Sequence, residues 1–324
     1  MTASGILVVA EADEGEASAL SFELLGLART LAPALGGEVT AVVLGAEVGG
    51  AAAALAAGGA DTVIQVEADA LAPYQAEAWL PDLAAVAGEL TPAAIVIAHT
   101  AQGADLAPRL AFRLGAGIAT GCIAAEVAEG RLRLTRPCYG GNAHEVLSFN
   151  APPAVVTVKP KCFEAPPPHQ GQVVVRASVL DPASVRTQVR DIRREAADGV
   201  RLESADVVVA GGGGMQGPKA FDLARELAGL WGGAVGASRV ACDLGWCPPG
   251  YQVGLSGRTV APELYLALGI SGAGQHMAGC ANAKTIVAIN TDAEAPIFKH
   301  ARFGLVADCH ELLPALIAAV KARG

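Results

Sequence analysis

Short apolar runs rich in β-branched residues recur along this chain, and stretches of helical length separate them. ILVVAEA (6–12), VTAVVLG (39–45), TVIQVEA (62–68) and AAIVIAHT (93–100) have the length and residue types of strands. Between them lie alanine- and leucine-rich segments such as SALSFELLGLARTLAPAL (18–35) and QAEAWLPDLAAVAGEL (75–90), with apolar residues at helical spacing. This alternation predicts βα units around a parallel sheet, because each helix carries the chain back to begin the next strand in the same direction. Composition fits that reading. Hydrophobic residues make up 52% and aromatics only 4%, so small aliphatic side chains must fill the core, as they do where parallel strands are buried on both faces.

The rhythm changes after residue 120. GCIAAEVAEGRLRLTRPCYGGNAHEVLSF reads as antiparallel hairpins with a turn at Glu129-Gly130. AVVTVKP (154–160) and VVVRASVL (173–180) read as further strands, and the charged stretch 181–204 lacks a strand signal. At 324 residues two domains are expected, and we place the boundary near residue 195. The βα pattern then restarts. ADVVVAG (205–211), AVGASR (234–239), TIVAIN (285–290) and FGLVAD (303–308) are strand candidates. PKAFDLARELAGLWGG (218–233) is a helix with proline at its first turn and glycines at its end, and ELLPALIAAVKARG is a terminal helix. The expected fold class is α/β in two domains. Residues 1–195 form a parallel-sheet domain with added antiparallel hairpins, and 196–324 a Rossmann-like domain.

Several function classes fall away. A net charge of −9 disfavours nucleic acid, whose phosphates are held by basic faces. The seven cysteines form no C-x-x-C pair and read as free buried thiols, and the histidines have no metal spacing, so no metal site is expected. G-x-S-x-G is absent, which weakens a hydrolase reading. The start MTASGILVVAEADEGE lacks a targeting pattern, and no apolar run is long enough to span a membrane; a cytoplasmic protein is the expectation.

Directly after the strand VVVA comes GGGGMQG, in which Gly212, Gly214 and Gly217 satisfy G-x-G-x-x-G ahead of a helix. One reading is a phosphate-binding turn, and with it a nicotinamide-dependent dehydrogenase. The acid expected to bind the ribose is missing, since VGASRV puts Arg239 near that place. A strand–helix turn without a ligand is the other reading.

Residues 234–308 are unusual for a plain core. Gly254, Gly257, Gly269, Gly272, Gly274 and Gly279 punctuate the run, and Ser256, Ser271, Gln275, His276 and Asn290 add small or planar hydrogen-bonding groups. Glycines let backbone N–H groups approach a ligand, hydroxyls and amides orient it, and Arg239 and Arg258 add positive charge. Such a set suits a phosphate-bearing aromatic cofactor. The phrases VGASR, QVG-x-[ST]-G, VAPELY, GISGA-x-QH-x-AG, KTIVAIN, EAPIF and VAD stand here in order, and the run resembles the FAD domain of electron-transfer flavoprotein alpha subunits across about residues 204–318. The first domain resembles that family in outline, through ILVVAE, GGNA and VTVKP.

The resemblance implies FAD as cofactor. It implies that Arg239 lies over the flavin ring, that Ser256 bonds flavin N5 and that His276 stands beside the N1/C2-carbonyl edge, three groups that tune the flavin. Val253, Gly254 and Leu255 would line the ring pocket, and Ser271, Gly272, Ala273, Gly274 and Gln275 would meet the ribityl–phosphate part. Ser238, Asn290, Asp308 and the adjoining Cys309 would hold the adenosine end. Two positions depart from the family pattern. Gly213 stands where an arginine is usual, so that a phosphate- or adenine-side contact is missing or comes from Lys219 or another group, and Gly274 stands where isoleucine is common. The implied protein is an electron carrier that pairs with a beta subunit, the first domain contacting that partner. It takes electrons from flavin dehydrogenases, acyl-CoA dehydrogenases among them, as in fatty acid oxidation, and passes them to a quinone reductase or other acceptor. Alternatives are the alpha subunit of an electron-bifurcating, NADH-oxidising variant, the nicotinamide dehydrogenase above, and a scaffold subunit without FAD.

Overall fold

A computed structural model describes residues 3–141, 143–192 and 200–322. These fall into two compact units, one within 1–137 and 144–193, the other within 138–143 and 194–324. The boundary expected near residue 195 lies outside the described residues.

The first unit opens with β1 (Ile6–Ala10), a small hairpin of β2 (Ala12–Asp13) and β3 (Glu16–Ala17), then α1 (Ala19–Leu35). Ser18 caps α1 by accepting from the Ser21 N–H, and Gly36 ends it in the left-handed region at φ 66°. There follow β4 (Val39–Gly45), α2 (Gly49–Ala57), β5 (Thr62–Glu67), α3 (Ala76–Leu90), β6 (Ala94–Ala98), α4 (Ala101–Leu114) and β7 (Gly117–Cys122). Next come β8 (Ala124–Ala128), β9 (Arg131–Cys138), β10 (Ala143–Leu147), β11 (Ala154–Val158) and β12 (Gln172–Arg176). Seven of these strands form one sheet in the order β12-β5-β4-β1-β6-β11-β7. Strands β1, β4, β6 and β11 are buried along nearly their whole length, and an apolar cluster covers each face of the sheet.

The hairpin expectation holds for β8 and β9, which pair antiparallel with Ala128 opposite Arg131, leaving Glu129-Gly130 as the turn. It starts too early, however. Gly121 and Cys122 still belong to β7, which runs parallel to β11. The strand expected over 173–180 ends at Arg176, because the buried Asp82 carboxylate captures the next residues. The Ser178 hydroxyl and the Val179 N–H each donate to it at 2.7 Å.

The second unit holds β13 (Val207–Gly211), α5 (Pro218–Leu230), β14 (Ala234–Ala237), the short α6 (Arg239–Asp243), β15 (Leu264–Leu268), the short α7 (Gly274–Met277), β16 (Thr285–Asn290), β17 (Phe303–Val306) and α8 (Cys309–Lys321). Its five strands are all parallel, in the order β14-β13-β15-β16-β17. The chain turns to one side of β13 for β14 and to the other for β15. That reversal is the topological switch point at which doubly wound sheets hold ligands, beyond the carboxyl ends of their strands. Among the described residues no helix is long and apolar enough to cross a membrane.

Candidate functional site

Because the sheet is parallel, the carboxyl ends of its strands share one edge, and the residues singled out in the sequence gather there. Ser238 follows β14, Ser271–His276 follow β15, Asn290 ends β16, and Asp308 and Cys309 follow β17. The loop 252–258 is drawn to the same edge by backbone bonds. The Val253 N–H donates to the Ala237 carbonyl at 2.9 Å, directly beyond β14.

This loop is then joined to the segment 273–279. The Leu255 N–H donates to the Gln275 carbonyl at 2.7 Å, and the Val260 N–H to the Gly279 carbonyl at 2.7 Å. Within the loop, the Gly254 N–H reaches the Arg258 carbonyl at 3.1 Å. Glycine makes the approach possible. A Cβ on Gly279 would lie 2.3 Å from the Gly254 nitrogen, and Gly254 itself has φ 144°. Val253 is buried at the foot of this wall, while Leu255 and Ser256 are exposed at its top. The Gln252 amide donates to Ser256 Oγ at 3.0 Å, which leaves the serine its own proton to donate.

His276 is the buried member. It is 8% exposed, its Nε2 lies 2.9 Å from the Tyr265 hydroxyl, and its Nδ1 is buried without a hydrogen-bond partner. Burial drives its pKa down to about 4, and a backbone group of Val253 offsets only part of that. The imidazole is therefore neutral near pH 7. Tyr265 is fully buried in β15, and desolvation raises its pKa.

Arg239 begins α6 and is largely exposed. Its Nε meets Asp243 at 3.3 Å across one helical turn. An exposed pair of this kind contributes about 0.5 kcal/mol, so the guanidinium is free to turn toward a ligand. Arg258 is engaged by Glu203 at 2.5 Å. Several residues assigned to the adenosine end have work within the fold. The Asn290 amide donates to the Ile270 carbonyl and accepts from the Asp292 N–H, the Ser238 hydroxyl caps α6, and Asp308 caps α8. The Cys309 thiol is buried against Met215 at 3.7 Å, which leaves its backbone as the part it could offer. The sequence leads to no metal site, and the structure brings potential ligand atoms of Asp308, Cys309 and His310 within 4.8 Å of one another. That grouping is the geometry of a capped helix start.

The glycine-rich turn has a packing reason of its own. A Cβ on Gly212 would lie 2.3 Å from the Gly269 carbonyl oxygen, and one on Gly214 2.7 Å from the Gly269 Cα. Two backbones pass too closely there for any side chain. Gly213 differs, since its nearest neighbour would be Val240 Cγ1 at 3.6 Å. A dinucleotide phosphate is therefore not needed to explain the pattern.

Open glycine backbone, hydroxyl and amide donors, a mobile guanidinium and a buried ring nitrogen without a partner form a donor set that fits a heteroaromatic, phosphate-bearing cofactor. Comparison with known proteins agrees. Residues 6–183 match the electron transfer flavoprotein domain, and residues 201–281 match the electron transfer flavoprotein FAD-binding domain. The chain is 39% identical to the electron transfer flavoprotein subunit alpha of Thermoanaerobacterium thermosaccharolyticum, over 98% of this chain and 97% of the relative. It is 38% identical to the subunit of the same name from Bacillus subtilis, over 96% and 95%. The Protein FixB of Clostridium saccharobutylicum is 40% identical over 98% and 96%.

The chain belongs to the electron transfer flavoprotein alpha-subunit family. FAD is the cofactor that goes with its second domain. The two positions singled out in the sequence as departures from the expected pattern lie where the fold leaves room, because a Cβ on Gly274 would meet nothing within 4 Å and one on Gly213 only Val240. Gln252 and Tyr265 join the site only in three dimensions, although each stands in a phrase that carries the resemblance. No spacing rule links a buried tyrosine to a histidine on a different element.

Proposed function

We propose that this chain is the FAD-holding subunit of a heterodimeric electron carrier. It works with a smaller beta subunit, takes electrons from flavin dehydrogenases, acyl-CoA dehydrogenases first among them, and passes them to a quinone reductase or another acceptor. Residues 1–195 serve the beta subunit, and residues 196–324 hold FAD. What carries the reading is the wall built from the loop 252–258 and the segment 273–279, which presents the Ser256 hydroxyl and the unpartnered Nδ1 of His276 at the carboxyl edge of the sheet.

Bound FAD would supply reversible electron uptake. The protein's own groups bind it and set how readily it accepts electrons. Ser256, its oxygen already served by Gln252, would be free to donate a hydrogen bond to a ring nitrogen. Arg239, held only by an exposed pair with Asp243, would be able to lay positive charge against the ring, which favours the electron-rich form. His276 stays neutral and contributes a directed dipole. Ser238, Asn290 and Asp308 shape the turns that receive the adenosine end, mainly through backbone.

The test is the chain co-purified with its beta subunit. The expected heterodimer is yellow, binds one FAD in the alpha chain, and bleaches when an acyl-CoA dehydrogenase and its substrate are added. Colour should return with a quinone reductase. Direct bleaching by NADH would overturn the simple carrier in favour of the bifurcating variant, and a colourless heterodimer that ignores added FAD would overturn the FAD assignment.

A further inference from the structure

We propose that Tyr265 is a positioning residue for the cofactor: by donating its hydroxyl proton to Nε2 of His276, it holds the imidazole as the Nδ1–H tautomer and makes His276 a hydrogen-bond donor to an electron-rich carbonyl or ring-nitrogen edge. This rests on the FAD reading of the same site.

Three groups meet in a closed space, the Tyr265 hydroxyl, the Cys280 thiol and the His276 ring, and their protons can be counted. Tyr265 is 0% and Cys280 0% exposed, so water cannot complete the set. The Cys280 thiol lies 3.7 Å from the His276 carbonyl and donates to it. The phenol proton then has one good acceptor, Nε2 at 2.9 Å. Were Nε2 the donor instead, the phenol proton would be left with sulfur, a weak acceptor, in a site where an unmet donor is costly. Nε2 must therefore carry a lone pair.

A neutral imidazole has one N–H, and with Nε2 accepting it must be Nδ1–H. Burial keeps the ring neutral, and the Val253 backbone group that pulls the other way acts as a carbonyl facing a ring N–H would. The resulting N–H is buried and has no partner that meets hydrogen-bond geometry. The Val253 carbonyl faces this N–H, but not in hydrogen-bond geometry, so the donor is left able to take a better-placed acceptor brought by a ligand. The wall that the His276 segment shares with the loop 252–258 is where that ligand would lie. As the acceptor gains negative charge on reduction, the bond strengthens. Tyr265 thus acts on the cofactor through the histidine without touching it.

The experiment uses the FAD-loaded heterodimer with 15N-labelled histidine. In the wild type, the His276 Nδ1 should show a one-bond proton coupling and Nε2 none. Tyr265→Phe keeps the ring in the core and removes only the proton, so the tautomers should mix, the midpoint potential should fall, and FAD should dissociate about fivefold more readily. In a His276→Gln background, Tyr265→Phe should no longer move the potential, whereas a tyrosine that merely packs would act equally in both backgrounds. A proton on Nε2 in the wild type, or an equal effect of Tyr265→Phe in both backgrounds, would overturn the proposal. If Tyr265→Phe does not fold, the wild-type tautomer alone decides. A heterodimer that binds no FAD would count against the functional reading, while the tautomer could still be read on the bare protein.

Discussion

Gly279→Ala should break the flavin site from behind, by pressing on the backbone of the loop 252–258. The added methyl would sit 2.3 Å from the Gly254 nitrogen, 2.5 Å from its Cα and 3.0 Å from the Arg258 carbonyl oxygen. All three are backbone atoms, so no side chain can rotate away. Restoring ordinary contact at about 3.5 Å moves the loop 252–258 by about 1 Å. Overpacking of this kind costs about 1–3 kcal/mol. The shift also strains the bonds from Leu255 N–H to Gln275 and from Val260 N–H to Gly279, each contributing about 1 kcal/mol. The loss is then about 3 kcal/mol, which in a unit of this size lowers Tm by roughly 10 °C. Because the wall carries Ser256 and His276, FAD retention should fall more than tenfold. Gly274→Ala is the control. Its methyl meets nothing within 4 Å, and a Gly-to-Ala change at a compatible position stabilises by about 0.4–1 kcal/mol. The assay is thermal unfolding of the heterodimer together with FAD released per alpha chain on dilution. Wild-type stability and FAD content in Gly279→Ala, or equal damage from Gly274→Ala, would refute the account of the wall.

Three further outcomes are expected. Gly213→Arg should leave stability within about 0.5 kcal/mol of wild type, since the site is open, and should slow FAD release about two- to fivefold by adding an exposed cation; faster release or clear destabilisation in urea would count against it. His276 is buried neutral with its pKa lowered to about 4 from 6.5, so the unfolded chain takes up the proton first on acidification. Stability is fully present above about pH 6.5 and is lost as pH falls toward 4, by about 2 kcal/mol between pH 7 and pH 5, and urea titrations of the wild type against His276→Gln should show that slope only in the former. Asp82→Ala should cost about 2–4 kcal/mol by leaving the Ser178 hydroxyl and Val179 N–H unmet, and Asp82→Asn, which keeps one acceptor, should cost less in the same unfolding assay.

The strands legible in the sequence are those where β-branched residues run together. VTAVVLG and TIVAIN match β4 and β16 from end to end. Elements that lack such a signal are hidden. Helix α2 is nine residues of alanine, glycine and one leucine, with no polar face to mark its period. Strand β15 lies at the centre of its sheet, yet its sequence LYLAL is as good a helix as a strand. Its identity comes from pairing with β13 and β16, which is tertiary information. The same limit applies to the site. The ordered phrases from VGASR to VAD pick out the candidate residues, because each phrase is local. The joining of Leu255 to Gln275 is not local, and neither is the bond between Tyr265 and His276. Both depend on backbones brought together by the sheet.

Two classes stand out among the glycines of the second domain, and the difference bears on what this chain can have lost. At Gly212, Gly214, Gly233, Gly254, Gly257, Gly269, Gly272 and Gly279, a Cβ would press within 3 Å of backbone atoms. These positions admit no side chain while the turns keep their present paths. At Gly213 and Gly274 there is open space, and these are the two positions singled out in the sequence as departures from the expected pattern. Glycine at an open position costs backbone entropy, about 1 kcal/mol at most, and removes whatever contact a side chain there would make. It cannot distort the wall. The departures therefore concern contacts toward the ligand, with Gly213 in the turn after β13, while the geometry that presents Ser256 and His276 stays intact.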